Sequence, residues 1–95
     1  MAWVLIQKAE EMGWDVYEQV ARVVGDDPPE GLIVHAAGER DGRWCSVDVW
    51  ESQEAHDRFV EERLLPAVRQ ALGDEAADAD PPPHEAFDVK HLIRQ

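Results

Sequence analysis

A chain of 95 residues, 44% of them hydrophobic, with a formal net charge of −12 is long enough for one domain, expected over residues 1–95, and too apolar to stay disordered. Its 21 acidic residues against 9 basic ones, with no basic stripe, argue against nucleic acid as a partner, because such a surface repels phosphate backbones. No apolar run approaches the roughly 18 residues of a membrane span, and no signal-peptide pattern precedes the first strand, so a cytoplasmic protein without a membrane partner is expected.

So short a chain buries only about 60–65% of the surface that its unfolded form exposes, which leaves its stability marginal. Cys45 is the lone cysteine, so no disulfide within the chain adds to it. No metal-ligand spacing is present either, and association with a second copy remains as the usual remedy.

Trp3-Val4-Leu5-Ile6 opens the chain as a buried strand, and Glu10 to Asp15 reads as a polar connection. Asp15 with Glu18 has the spacing of a capping box, Val16, Tyr17, Val20, Val23 and Val24 follow at helical intervals, and Gly25 ends the helix. Asp26 to Gly31 holds two prolines and reads as a loop. Gly31–Glu39 and Arg43–Glu51 flank Asp41-Gly42, a strong hairpin signal. With a two-residue turn, Arg40 faces Arg43, Gly38 faces Cys45, Ala36 faces Val47 and Val34 faces Val49. On the other face Ala37 meets Ser46, His35 meets Asp48 and Ile33 meets Trp50.

Ser52 is placed to cap a second helix, whose apolar stripe is Ala55, Phe59, Val60, Leu64, Ala67, Val68 and Ala71. Pro66 lies inside that stripe and predicts a kink or a break. Gly73 to Pro83 reads as an acidic, proline-rich surface linker. His84 to Gln95 completes the chain as a strand with Phe87, Val89, His91 and Ile93 on one side. The order β-α-β-β-α-β is that of ferredoxin-like α+β domains, a four-stranded antiparallel sheet with two helices on one face. The opposite sheet face carries aliphatic residues and predicts an interface, most simply a twofold homodimer.

His35 and Asp48 are the leading candidates for catalysis. A carboxylate beside an imidazole fixes its tautomer and raises its basicity, leaving the second nitrogen free to take a proton near neutral pH. Trp44 and Trp50 share that face. The alternative is a hydrogen-bonded pair buried in a dimer contact, since buried polar groups pair whether or not they act. Tyr17 is a pocket hydroxyl or a boundary residue. His56 lies on the helix face of Phe59 and Arg63, and His91 alternates with Val89 and Ile93. Trp44, Trp50, Tyr17, His56, Phe59, Arg63 and His91 are the candidate ligand contacts, and the tryptophans, Tyr17 and the histidines each have a plain structural alternative. No short spacing joins His35, His56 and His91 into a metal site.

From Gly31 to Phe59 the chain resembles the dimeric α/β-barrel superfamily, and more narrowly the small proteins near the antibiotic-biosynthesis monooxygenases. The likeness rests on Gly-Leu-Ile-Val-His-Ala-Ala-Gly, the Asp-Gly turn, and Val-Asp-Val-Trp-Glu-Ser-Gln-Glu-Ala followed by Phe59. It is sharpest over residues 31–68, where Trp50-Glu51-Ser52 and Arg63-Leu64-Leu65-Pro66 are its most specific pieces. It implies dimers whose sheets face each other and a ligand pocket between sheet and helices, lined by the strand-end Trp50. The first strand lacks the asparagine that haem-degrading members carry, Gln7 being the nearest polar residue, which points away from haem. The resemblance, with the His35–Asp48 pair, suggests a small-molecule enzyme of secondary metabolism that needs no cofactor. It would act as a monooxygenase, or as a cyclase or isomerase, on a hydrophobic aromatic or polyketide-like ligand. The alternative is a non-catalytic dimeric module for ligand binding or assembly.

Overall fold

In the computed structural model, which describes residues 2–95, the chain runs through four strands and four helices in the expected ferredoxin-like order. Strand β1 (Trp3–Gly13) leads into helix α1 (Trp14–Val24), and the hairpin β2 (Leu32–Arg40) and β3 (Arg43–Trp50) follows. Helix α2 (Gln53–Phe59), a π-helical segment at Val60–Leu64, α3 (Leu65–Leu72) and the short α4 (Asp74–Asp78) come before strand β4 (His84–Asp88). All pairings are antiparallel, in the order β2-β3-β1-β4.

The hairpin has the register expected of a two-residue turn. Arg40 pairs with Arg43 and His35 with Asp48. Asp41 (φ 54°) and Gly42 (φ 80°) are both left-handed, the backbone that suits the twist of a tight hairpin. The expected facing of Ile33 and Trp50 is corrected: the register shifts between Leu32 and Val34, and Leu32 faces Trp50. Just before β2, Gly31 (φ 88°) brings its backbone so close to Ala55 that a Cβ there would collide with the alanine methyl. That contact seats α2 against the hairpin.

Strand parity sorts the sheet. Trp3, Leu5, Asp48, Trp50 and His35 point to the side on which the helices lie. Trp3, Leu5 and Trp50 form the core there, with Leu32, Ala55 and Phe59 packed against it. On the other side Val34, Val47 and Phe87 stay exposed.

Four further readings are corrected. Glu10 to Gly13 continues β1 instead of forming a connection, and the N-cap of α1 is Gly13, with no side-chain cap from Asp15. The linker after Gly73 contains α4, because Arg69 reaches Asp74 at 2.9 Å and Asp78 at 3.3 Å and ties the segment down. The last strand stops at Asp88, whose partner is Trp3, the first residue of β1. Among the described residues one more bond follows, from the Val89 amide to the Ala2 carbonyl. The second helix is broken as Pro66 required, by the π-helical turn before it, and the Ser52 hydroxyl caps its start by accepting from the Ala55 amide at 3.1 Å. Among the described residues no helix is long and apolar enough to cross a membrane.

Candidate functional site

Two neighbouring strands and the first helix build a continuous hydrogen-bonded chain on the helix-covered face. Because β2 and β3 align His35 with Asp48, the imidazole Nδ1–H donates to Asp48 Oδ1 in a very short contact. The other carboxylate oxygen accepts from the indole Nε1–H of Trp50 at 3.3 Å. Helix α1 lays Tyr17 over the pair, and its hydroxyl meets His35 Nε2 at 2.6 Å. An ionised carboxylate only accepts, so it holds the histidine proton on Nδ1. In neutral His35, Nε2 is then the acceptor and the phenol the donor.

The electrostatics follow from these contacts. The hydrogen bond to Asp48 raises the His35 pKa above 6.5, opposed by burial and assisted by the carboxylate charge. Burial pushes the Tyr17 phenol above 10.0, and the nearby Asp48 charge adds to this. Asp48 itself is buried, whereas the His35 side chain is 37% exposed. His35 thus lies at an open margin of the helix-covered face, on the edge strand β2, with Asp48 beside it on the interior strand β3.

Aromatic side chains surround the phenol. Trp14 stacks on Tyr17 with centroids 4.7 Å apart, and Trp44 lies tilted at 5.6 Å. Trp14 was not singled out from the sequence as a site residue. Its position three residues before Tyr17, on one helix face, is the signal that could have found it.

The remaining candidates stand elsewhere. Trp50 is 1% exposed and packs as core, touching the site only through its bond to Asp48. His56 lies against Trp3 (5.1 Å) and Trp50 (5.5 Å), and Phe59 against Trp50 (5.4 Å). Arg63 sits over the Phe59 ring and donates to the Val24 carbonyl at 3.0 Å. These residues support Trp50 from behind. His91 is corrected: it lies beyond β4 and is exposed, so it does not face inward. The second nitrogen of His35, expected to be free, is corrected too: Tyr17 occupies it. One surface hollow of about 250 Å³ is lined by Val23, Val24, Arg63, Pro66, Ala67 and Gln70. None of the Tyr17–His35–Asp48 chain lines it.

No protein-family model matches the sequence, and no curated protein matches it. Solved structures do. A structure described as a putative antibiotic biosynthesis monooxygenase from Chloroflexus aurantiacus superposes with a TM-score of 0.68 at 17% identity, covering 99% of this chain and 98% of that one. SnoaB, a cofactor-independent oxygenase from Streptomyces nogalater, gives a TM-score of 0.58 at 16% identity, over 99% of this chain and 97% of that one. A mutant of MhuD with two manganese protoporphyrin IX molecules bound per active site gives 0.62 at 14%, over the full length of both. At such identities the likeness is one of fold: the chain has the ferredoxin-like architecture that these structures share.

Proposed function

We propose that the protein is a small-molecule enzyme of the oxygenase-like kind, in which His35, backed by Asp48, acts as general base on a hydrophobic aromatic or polyketide-like ligand. One observation carries the reading: an imidazole oriented by a buried carboxylate stands at the margin of an aromatic-lined face, its basicity raised by that carboxylate. Such a base removes a proton from an acidic hydroxyl or activated carbon. The electron-rich anion then reacts with dioxygen, or is reprotonated in a cyclisation or isomerisation. The fold shared with a cofactor-independent oxygenase supports the first outcome.

The test is His35→Gln, assayed by oxygen uptake and product formation across a panel of hydroxyaromatic compounds. The variant is expected to keep its circular dichroism and to lose about 10²-fold or more in rate. An equally folded variant turning over at the parent rate sinks the base.

A second reading, a non-catalytic module for ligand binding or assembly, draws on a specific observation. Both ring nitrogens of His35 and both oxygens of Asp48 already have partners, which suffices to explain the pair as structure. Under either reading we take the working unit to be a homodimer joined through the exposed side of the sheet, where Val34 is 52%, Val47 45% and Phe87 53% exposed. Light scattering is expected to return twice the chain mass, and Val47→Glu to return a single mass with an unchanged spectrum. A parent protein of single mass at every concentration ends this proposal.

A further inference from the structure

The proton acceptor that a ligand meets need not be the imidazole. Nε2 is the one ring atom of His35 able to take a proton, and the Tyr17 hydroxyl already covers it at 2.6 Å. A phenol hydroxyl has one proton and two lone pairs. Its proton is engaged with His35, so it can still accept one hydrogen bond from outside. The ring centroids of Trp14 and Trp44 lie 4.7 and 5.6 Å from that of Tyr17, so the phenol belongs to an aromatic cluster of the kind on which a flat aromatic ligand can lie.

Resting on the base assigned above, we infer that Tyr17 is the residue in contact with the ligand: a hydroxyaromatic donates its hydroxyl to Tyr17 Oη, and the Tyr17 proton passes to His35 Nε2. The ligand O–H bond breaks and its proton bonds to Tyr17 Oη. The Tyr17 O–H bond breaks in the same step and its proton bonds to Nε2. The ligand keeps the electron pair as an aryloxide, Tyr17 is again a neutral phenol, and His35 becomes an imidazolium held by Asp48. No electron changes owner. Burial and the Asp48 charge, which disfavour a resting tyrosinate, suit Tyr17 to relaying a proton in both directions. The acidic groups on the elements that meet here are Asp48 on β3, Glu39 four residues along β2 from His35, and Asp15 and Glu18 on α1. Glu18 is engaged with Arg22 at 3.0 Å.

Composition makes the test clean, because Tyr17 is the single tyrosine of the chain. Full-length protein grown with fluorotyrosine therefore carries one fluorine label and one slightly more acidic phenol. The probe is β-naphthol, whose anion has its own absorption and emission. The parent protein is expected to bind it in its ionised form at pH values where the free compound is neutral. Tyr17→Phe is expected to keep the fold and to cut the ionised fraction by at least about tenfold. Fluorotyrosine is expected to raise that fraction, because a stronger donor better stabilises the aryloxide, and its fluorine resonance is expected to move when the probe binds. A packing role would leave the ionised fraction where it was. The inference falls if the parent protein leaves β-naphthol neutral throughout the pH range of the folded state. It also falls if Tyr17→Phe ionises the probe as the parent does. If His35→Gln abolishes that ionisation while Tyr17→Phe does not, the ligand meets His35 directly; the base stands and the relay is lost. If neither substitution changes it, both are lost.

Discussion

Trp50→Ala is expected to lower the stability of the domain by about 3–5 kcal/mol, the range for removing a buried large aromatic side chain. Trp50 is the largest fully buried side chain, at 1% exposure, and the rings of His56 and Phe59 rest on it at 5.5 and 5.4 Å. Truncation leaves a cavity between the sheet and α2 and also removes the indole donor to Asp48. Small domains have only about 5–15 kcal/mol in hand, so this one substitution takes a large share. Urea unfolding followed by circular dichroism measures it. A midpoint close to that of the parent would show that the core is organised around some other residue.

Asp48→Ala is expected to cost about 2–4 kcal/mol and to reverse the titration of His35. The buried carboxylate accepts from His35 and from Trp50, and each donor stranded without a partner costs about 1–3 kcal/mol. The Trp50 indole is sealed from water, so its loss is felt in full. The His35 ring is partly exposed, so water compensates some of its loss. In the parent protein the raised His35 pKa favours the charged ring in the folded state. That contribution is fully present below the ordinary value of 6.5 and is lost as pH rises through the higher folded value. In Asp48→Ala the cause that raises the pKa is gone while burial remains, so His35 is expected to titrate below 6.5. The imidazole resonances across a pH series decide it. A ring that still titrates above that value would show that Asp48 is not what holds its proton.

The part of the fold that could be read in advance is the part governed by local chemistry. Asp41-Gly42 dictates a tight turn, and the alternation of β2 and β3 then fixes which residues meet, so His35 and Asp48 come together from pattern alone. The shift between Leu32 and Val34 escaped because an irregularity at a strand end leaves no mark in the alternation; it lies next to Gly31, where the backbone approaches Ala55 from a distant segment. The far half of β1 escaped for a different reason. Residues 10–13 begin with two glutamates, end on a glycine and are mostly exposed, and such a strand end looks like a linker until its partner is known. His91 and Ile93 alternate as a strand should, yet alternation cannot say where the neighbouring strand ends. Tyr17 is the most instructive case. Its helical spacing was plain, whereas its bond to His35 depends on where α1 lies across the sheet, which no local pattern records.

The wide turn at Val60–Leu64 has a consequence for chain length. An α-helix advances about 100° per residue, and a π-turn accommodates one residue more than the regular pitch allows. Shortening the chain by one residue there would restore ordinary winding and leave everything after it facing as it does, whereas ordinary winding with every residue kept would swing the rest by about that angle. Ala67, now 3% exposed, would then leave the interior, and its exposed neighbour Pro66 would turn toward it. Relatives of this protein that lack the widened turn should therefore be one residue shorter there and carry their apolar positions after it one place earlier, a single-residue gap visible in an alignment before any coordinates are compared.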